Sequence, residues 1–121
     1  MDKRVAFLKK QMLLNLRQSF TIEKMAHSVN LSESHLLQLF KREVGMPPVH
    51  YLWDLRLEKA RELLEAEDSF ENVKQIRFKV GIKDPSHFTR FFKAKYGLSP
   101  SEYRRRHWAK LEAKKSEASK S

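Results

Sequence analysis

Two similar segments constrain the fold of this chain more than any other feature of its sequence. Residues 30–48 read NLSESHLLQLFKREVGMPP, and residues 81–100 read GIKDPSHFTRFFKAKYGLSP. At a shift of 52 positions, seven pairs of residues are identical in one register: Ser34/Ser86, His35/His87, Phe40/Phe92, Lys41/Lys93, Gly45/Gly97, Pro48/Pro100 and Tyr51/Tyr103. An internal repeat of this kind indicates two copies of one supersecondary unit.

Each copy reads as a helix, a tight turn and a second helix. Upstream of the turn the best shift is 51, so the second copy has one extra residue in its turn. Asn30 and Gly81 stand at the two bends, where the left-handed backbone is needed. The helix after each bend has a capping residue before it and a glycine after it, at Ser32 and Gly45 and at Asp84 and Gly97.

Apolar residues recur at helical spacing along the chain, which contains only three glycines and four prolines. We therefore predict an all-α fold. The predicted organisation is a first helix-turn-helix subdomain at 5–48, a linker helix at 49–67, a second subdomain at 68–108 and a disordered basic tail at 109–121. The tail is assigned to disorder because it carries charge and small residues but no apolar stripe.

The second helix of each copy has one apolar and one polar side at about 100° per residue. The predicted buried stripes are Leu36, Leu39, Phe40 and Val44 in the first copy and Phe88, Phe91, Phe92 and Tyr96 in the second. In a helix-turn-helix, the second helix can lie in the DNA major groove. The outward side chains include an arginine and a glutamine, which pair bidentately with guanine and adenine, and lysines, which suit phosphates.

The predicted DNA site follows from this polar side. The candidate base-reading residues are Ser34, His35, Gln38, Ser86, His87 and Arg90, and the candidate phosphate contacts are Lys41, Arg42, Lys93 and Arg104. The alternative for His35 and His87 is a local capping, packing or phosphate role. Arg104, in the run RRRHW, could equally belong to a solvated helix end. On the linker, Arg56 and Arg61 are expected to have intramolecular partners or to be solvated.

Composition supports a polyanionic partner. With 25 Lys plus Arg against 15 Asp plus Glu, the formal charge is +10. There are no cysteines, and no His or carboxylate cluster has metal-ligand spacing, so we expect no metal and no cofactor. No apolar run approaches a membrane span and no signal-peptide core is present, so we expect a cytoplasmic protein without a membrane partner.

Enzyme chemistry is not expected, because no carboxylate pair, no nucleophile with its base and no phosphate-cradling glycine loop occurs. The alternative function is a basic all-α protein–protein interaction module without a DNA role. That reading requires apolar exposed faces on the repeated helices, whereas their outer positions hold Ser, Gln, Arg and Lys.

The two copies and the segment between them resemble the tandem helix-turn-helix domain of the AraC/XylS family of bacterial transcription regulators. The resemblance covers about residues 5–105. It rests on Asp84, Phe88, Arg90, Phe92, Lys93, Gly97, Ser99, Pro100 and Tyr103 in the second copy and on Tyr51, Arg56, Ala60 and Leu64 in the linker.

This resemblance implies about seven helices, forming two helix-turn-helix subdomains joined by a long linker helix. It also implies that recognition helices at 32–44 and 84–96 enter adjacent major-groove segments of double-stranded promoter DNA and control transcription. RNA polymerase is a further candidate partner. A sensor or dimerisation domain is expected on a longer native chain.

Two positions depart from the family pattern. Arg77 stands where members usually carry alanine, and Ile82 stands where they usually carry phenylalanine. The arginine must either find a way out past the packed helices or pair with an acid.

Overall fold

The computed structural model describes residues 1–119, which form seven α-helices. The helices are α1 (Lys3–Leu14), α2 (Ile22–Ser28), α3 (Glu33–Val44), α4 (Pro48–Glu65), α5 (Val73–Lys79), α6 (Pro85–Tyr96) and α7 (Pro100–Ser119). No β-strand occurs between residues 1 and 119. The all-α fold predicted from the sequence is thus confirmed, together with the helix count that the family resemblance implies.

The first of two compact units comprises Met1–Arg56. The hydroxyls of Thr21 and Ser32 each accept the amide hydrogen of the residue three positions on, at 3.1 Å, and so cap α2 and α3. Asn30 takes a φ of 57° at the bend, and Gly45 ends α3 with a φ of 90°. These punctuation residues fix the helix-turn-helix where the sequence predicts it.

The core of the first unit joins the apolar stripes of α1, α2, α3 and the first half of α4. Its buried members are Val5, Leu8, Met12, Met25, Ala26, Leu36, Leu39, Phe40 and Leu52. Burying one large apolar side chain contributes about 1.5–3 kcal/mol, so this cluster is the main source of stability. Val44, predicted to be buried, is only half-buried and packs at the edge of the cluster, because it lies in the last turn of α3.

The second unit begins at Leu57. Its helix α5 opens with a capping box, in which the Asn72 side chain accepts the Gln75 amide hydrogen and the Gln75 side chain accepts that of Asn72, each at 2.8 Å. Gly81 and Gly97 both take a φ of 85°, at the bend and at the end of α6. The second unit therefore has the same order of features as the first: a capped helix, a residue with positive φ at the bend, and a glycine with positive φ after the second helix.

Aromatic rings dominate the buried side of α6. The ring centroid of Phe92 lies 5.8 Å from that of Phe88, 4.7 Å from that of Tyr96 and 5.5 Å from that of Tyr103 on α7. Phe88 and Phe92 are buried, whereas Tyr96, predicted to be buried, is half-buried because it lies in the last turn of α6. The other buried apolar residues of this unit are Leu57, Ala60, Leu64, Ile76, Val80 and Ile82. Edge-to-face ring pairs add about 0.5–1.5 kcal/mol beyond the area that they bury.

The repeat extends further than the two helix-turn-helix segments. At the same shift of 52, the buried residues Val5, Leu8 and Met12 of α1 correspond to the buried residues Leu57, Ala60 and Leu64 of α4. Both triplets use the spacing that keeps three side chains on one face of a helix. Each unit therefore has a leading helix, α1 in the first and the second half of α4 in the second.

Each unit also has a closing helix that is fastened to the end of its leading helix. Arg56 of α4 donates from Nε to the Leu16 carbonyl at 3.0 Å and from Nη2 to the Gln18 carbonyl at 2.9 Å. At the corresponding position of α7, Trp108 donates from Nε1 to the Leu64 carbonyl at 3.2 Å. The intramolecular role expected for Arg56 is confirmed, and burial lowers the pKa of its guanidinium.

Helix α4 serves both units, since its first half closes the first unit and its second half leads the second. The boundary between the units falls between Arg56 and Leu57, inside this helix. The sequence-based division, with residues 49–67 as a segment of its own, stays a prediction.

The C-terminal segment differs from its prediction. Residues 109–119, expected to be disordered, continue helix α7, and residues 120 and 121 of the predicted tail lie outside the described part of the chain. Ala, Lys, Glu and Leu are strong helix formers, so the segment can extend an anchored helix without an apolar stripe of its own.

Candidate nucleic-acid interface

The outer face of α3 carries all five residues predicted from the first copy. Ser34, His35, Gln38, Lys41 and Arg42 are exposed, while the opposite side of the helix is in the core. None of these five side chains has a hydrogen-bond or ion-pair partner among residues 1–119. They form a polar, cationic surface whose donors are available to a ligand.

Only the backbone of His35 takes part in a capping contact, because its amide donates to the Ser32 hydroxyl. The imidazole itself is exposed and is not used by the cap.

The outer face of α6 is equally exposed but more tightly organised. The Ser86 hydroxyl donates to Asp84 Oδ1 at 2.6 Å, and His87 Nδ1 lies 3.9 Å from Asp84 Oδ2. The amides of Ser86 and His87 donate to Asp84 Oδ1 at 2.8 and 3.2 Å. The Ser86 hydroxyl, followed by the His87 amide, holds the pKa of Asp84 below its usual value. The carboxylate therefore fixes the N-terminal turn of α6.

Arg90 and Lys93 occupy the middle of the same face. The Arg90 guanidinium lies 5.1 Å from the centroid of the Phe91 ring, and the centroid of the His87 ring lies 5.7 Å from it. Phe91 was predicted to be buried, but it is half-buried, because its ring lies at the edge of α6 between these two polar side chains. The ring contacts both groups, and His87 and Arg90 remain exposed.

Arg104 stands apart from the other predicted site residues. Its Nη1 donates to the Glu71 carbonyl at 2.5 Å, and its guanidinium lies 5.7 Å from the Trp108 ring. The side chain is half-buried and holds the backbone that precedes α5. Its predicted phosphate role stays a prediction.

Arg77, which the sequence marked as a departure without giving it a role, supports the second turn. Its Nη1 donates to the carbonyls of Ile82 at 2.8 Å and Lys83 at 2.5 Å. The guanidinium thus leaves the helix pair and binds the backbone directly before α6, and no acid pairs with it among the described residues. In the sequence, the indication of this contact is a charged residue at a position where the family usually carries alanine.

Arg61, like Arg56, has the intramolecular partners expected for it. Its Nη1 donates to Glu65 Oε2 at 2.8 Å, and the other Glu65 oxygen accepts the Tyr103 hydroxyl at 2.7 Å. Burial, followed by this bond to the carboxylate, raises the pKa of Tyr103. These contacts position α7 and add no group to the outer face of α6.

Within residues 1–119, no group of three His, Asp or Glu side chains is arranged to hold a metal ion. No helix in that range is long and apolar enough to cross a membrane. Two repeated helices with exposed, cationic outer faces, each held by a tight turn on its own core, define a tandem helix-turn-helix DNA-binding domain.

Comparison with known proteins gives the same class. A family model described as a helix-turn-helix domain matches residues 25–106. The lactose operon transcription activator of Staphylococcus xylosus is 38% identical over 90 residues, which cover 74% of this chain and 32% of that protein. The transcriptional regulator MtrA of Neisseria gonorrhoeae is 31% identical over 104 residues, which cover 86% of this chain and 34% of that protein.

A solved structure with this fold contains DNA. The DNA-binding domain of AdpA, a global transcriptional factor crystallised with a target DNA, superposes with a TM-score of 0.83 at 25% identity, over 90% of this chain and 96% of that one. The chain belongs to the AraC/XylS family of transcription regulators. Members of this family bind DNA and are generally not enzymes. The chain spans about a third of the length of the two relatives above.

Proposed function

We propose that this chain binds double-stranded promoter DNA in the bacterial cytoplasm and thereby regulates transcription, with α3 and α6 in adjacent major-groove segments. The observation that carries the proposal is the pair of equivalent outer faces, exposed and cationic, on helices whose inner faces are buried. A protein–protein module needs an apolar face there, and the outer positions of α3 and α6 hold polar groups.

The base-reading groups are Ser34, His35 and Gln38 on α3 and Ser86, His87 and Arg90 on α6. Arg90 suits guanine, because a guanidinium can donate to O6 and N7 together, and Gln38 suits adenine for the corresponding reason. The Ser86 hydroxyl already donates its hydrogen to Asp84, so it meets DNA as an acceptor.

The phosphate contacts are Lys41, Arg42, Lys93 and Arg104. Lys41 and Lys93 are equivalent in the repeat, and both are exposed without a partner among the described residues. Arg104 would keep its bond to the Glu71 carbonyl and offer its remaining donors.

RNA polymerase is the further partner that we propose, since a regulator bound at a promoter lies beside it. We also propose a sensor or dimerisation domain on a longer chain, because the relatives are about three times as long as the segment they share with this one.

The test is the binding of purified protein to random duplex DNA at low salt, followed by titration at several salt concentrations. Wild type should bind with a slope of log K against log salt that reports its phosphate contacts. The double variant K41Q/K93Q should lower the slope by about two.

The control K59Q/K115Q removes the same charge from two exposed lysines that pair with Glu62 and Glu67, and it should leave the slope nearly unchanged. Absence of binding by folded wild type at low salt would contradict the proposal. Binding that K41Q/K93Q leaves intact would contradict the assigned faces.

A further inference from the structure

Helix α7 carries three exposed cations at every fourth position, Arg106, Lys110 and Lys114, which we term the α7 stripe. None of the three has a hydrogen-bond or ion-pair partner among residues 1–119. They are separate from the cations assigned to α3 and α6, and the family model ends at residue 106, so two of the three lie beyond it.

The remainder of α7 is fastened to the second unit, which fixes the direction of the stripe. Tyr103 packs on Phe92 and Tyr96 of α6, and Trp108 donates to the backbone of α4. At about 100° per residue, Lys110 lies only about 20° around the helix from Tyr103. The stripe therefore continues along the side of α7 that packs on α6, beyond the point where the contact with α6 ends.

The spacing of the stripe is unfavourable for a helix that only has to be soluble. Like charges four residues apart destabilise a helix, whereas a glutamate followed four residues later by a lysine stabilises it. Arg106 and Lys110, and again Lys110 and Lys114, are like-charged pairs of this kind, and the acids at pairing distance, Glu102 and Glu117, stand only at the two ends of the stripe. A polyanion lying along the helix removes the repulsion and converts it into attraction.

The dimensions fit a nucleic-acid backbone. Residues four apart are separated by about 6 Å along a helix. One DNA strand carries a phosphate about every 3.4 Å along the duplex axis, so the stripe, about 12 Å long, spans roughly three phosphate positions measured along that axis.

We propose that the α7 stripe binds phosphates of the DNA that flanks the segment contacted by α6, which lengthens the footprint of the domain on the side of its second unit. The inference rests on the proposed function, since it assigns further contacts to the same DNA. It assigns no base reading to α7, because lysines on a helix that lies along the backbone meet only phosphate and sugar.

The experiment compares wild type with K110Q/K114Q, which leaves the family-matched residues intact. The control is K59Q/K115Q, in which Lys115 lies on the same helix and its Nζ is 3.7 Å from Glu67 Oε1. Binding is measured on a site selected from random DNA, carried either on a duplex of about 20 base pairs, near two helical turns, or on one of about 40 base pairs.

On the long duplex, K110Q/K114Q should lower the salt slope by about two and weaken binding roughly tenfold or more at moderate salt, with the same base preference. On the short duplex and for the control, the change should be small. Circular dichroism and thermal unfolding establish that all three proteins are equally helical.

Equal losses for K110Q/K114Q and the control, or equal losses on both duplexes, would overturn the flanking contact. An unchanged affinity for DNA combined with altered activation of a promoter would also overturn it, in favour of a protein partner. If wild type binds neither duplex, the proposed function itself fails, and the two failures are thereby distinguished.

Discussion

In the first copy, a buried alanine, Ala26, occupies the position that Arg77 occupies in the second. Both turns contain the same backbone hydrogen bond, from the Leu31 amide to the Ala26 carbonyl at 3.0 Å and from the Ile82 amide to the Arg77 carbonyl at 3.1 Å. In the first turn the alanine packs in the core and Asn30 takes the left-handed conformation. The second turn, one residue longer, is held by the Arg77 guanidinium, which binds the carbonyls of Ile82 and Lys83. The same helix-turn-helix backbone is therefore supported by a packed alanine in the first copy and by an arginine that binds backbone carbonyls in the second.

The buried cores under α3 and α6 differ in the type of apolar side chain that they contain. Phe40 pairs with Tyr51 at 5.7 Å in the first copy, and the equivalent Phe92 pairs with Tyr103 at 5.5 Å in the second. Around this shared pair, the first copy uses aliphatic residues and the second uses aromatic rings at the corresponding positions, which are Leu36/Phe88, Leu39/Phe91 and Val44/Tyr96. The conserved element of the repeat is the ring pair between the second helix and the closing helix.

The outer faces differ less, yet in a way that matters for recognition. Serine, histidine and lysine recur at equivalent positions, but Gln38 of α3 corresponds to Arg90 of α6. The Arg90 guanidinium also lies 5.1 Å from the centroid of the Phe91 ring. An arginine forms charge-assisted hydrogen bonds, which are stronger than those of a neutral amide, so α6 should contribute more to sequence preference than α3.

The largest expected effect is on the shared ring pair. Phe40→Ala and Phe92→Ala should each lower the free energy of unfolding by about 3–5 kcal/mol, because both remove a fully buried ring at equivalent positions. Urea denaturation followed by circular dichroism measures the loss.

Gln38→Ala is the control for the exposed face and should change stability by no more than about 0.5 kcal/mol. A Phe92→Ala variant as stable as wild type would show that the two cores are not equivalent.

The next effect concerns recognition. Arg90→Ala should weaken binding to a preferred site by about 1–3 kcal/mol and relax the preference at one base pair, and Gln38→Ala should do the same more weakly. Lys41→Ala and Lys93→Ala should weaken binding to all duplexes alike. Fluorescence anisotropy with a selected and a scrambled site, at two salt concentrations, measures all four.

An equal loss on both DNAs for Arg90→Ala would reduce that residue to a phosphate contact. A loss for Lys93→Ala that depends on sequence would mean that α6 is rotated in the groove relative to the orientation proposed.

A smaller effect on stability is expected when Arg77 of the second copy is replaced by alanine, the residue at the equivalent position of the first copy. Arg77→Ala removes two hydrogen bonds to backbone carbonyls, a partly buried one to Ile82 and an exposed one to Lys83. It should lower the free energy of unfolding by about 1 kcal/mol. Thermal unfolding of this variant beside Arg77→Lys tests it, because lysine keeps the charge but loses the planar fork.

A gain in stability for Arg77→Ala would show that the second turn, like the first, needs no side-chain hydrogen bond to its carbonyls. Amide hydrogen exchange at Ile82 and Lys83 locates the change in the turn.

The smallest expected effect is a pH dependence that distinguishes the helix cap at Asp84 from the helix cap at Ser32. The folded-state pKa of Asp84 lies below its ordinary value, so the carboxylate stabilises α6 above the ordinary pKa of about 3.8, and this contribution is lost as the pH falls through the folded pKa. The Ser32 hydroxyl has no such dependence. In an NMR titration, the amide signals of Ser86 and His87 should shift at low pH with a midpoint below about 3.8.

Asp84→Asn is the control, since asparagine caps a helix without titrating, and it should abolish that shift while the His35 amide remains as in wild type. A midpoint at or above the ordinary value would contradict the lowered pKa.

Local signals in the sequence predicted most of the fold. Capping residues, the bend at Asn30 and the glycines after α3 and α6 act through their own backbone, so their positions in the sequence suffice to place helices and turns. The polar face was predictable because the phase of a helix follows from its apolar stripe, as the exposure of Gln38 and Arg90 shows.

Tertiary structure decided what depends on residues distant in the sequence. The correspondence of Val5, Leu8 and Met12 with Leu57, Ala60 and Leu64 becomes visible only when both triplets are buried, because their side chains differ in size. In the same way, the partners of Arg56 and Arg104 are backbone carbonyls 40 and 33 positions away, at Leu16 and Glu71.

The exposure of Phe91 and the helix at 109–119 were mispredicted for one physical reason: neighbours, and not intrinsic pattern, determined them. Phe91 has apolar phase but lies at an edge between His87 and Arg90, and the C-terminal segment lacks a stripe but continues a helix anchored by Tyr103 and Trp108. The sequence by itself determined which helices form and which sides they bury, since those are short-range properties of the chain. Only the packed structure decided where long side chains such as Arg56 and Arg104 find their partners, because those partners are backbone carbonyls of other segments of the chain.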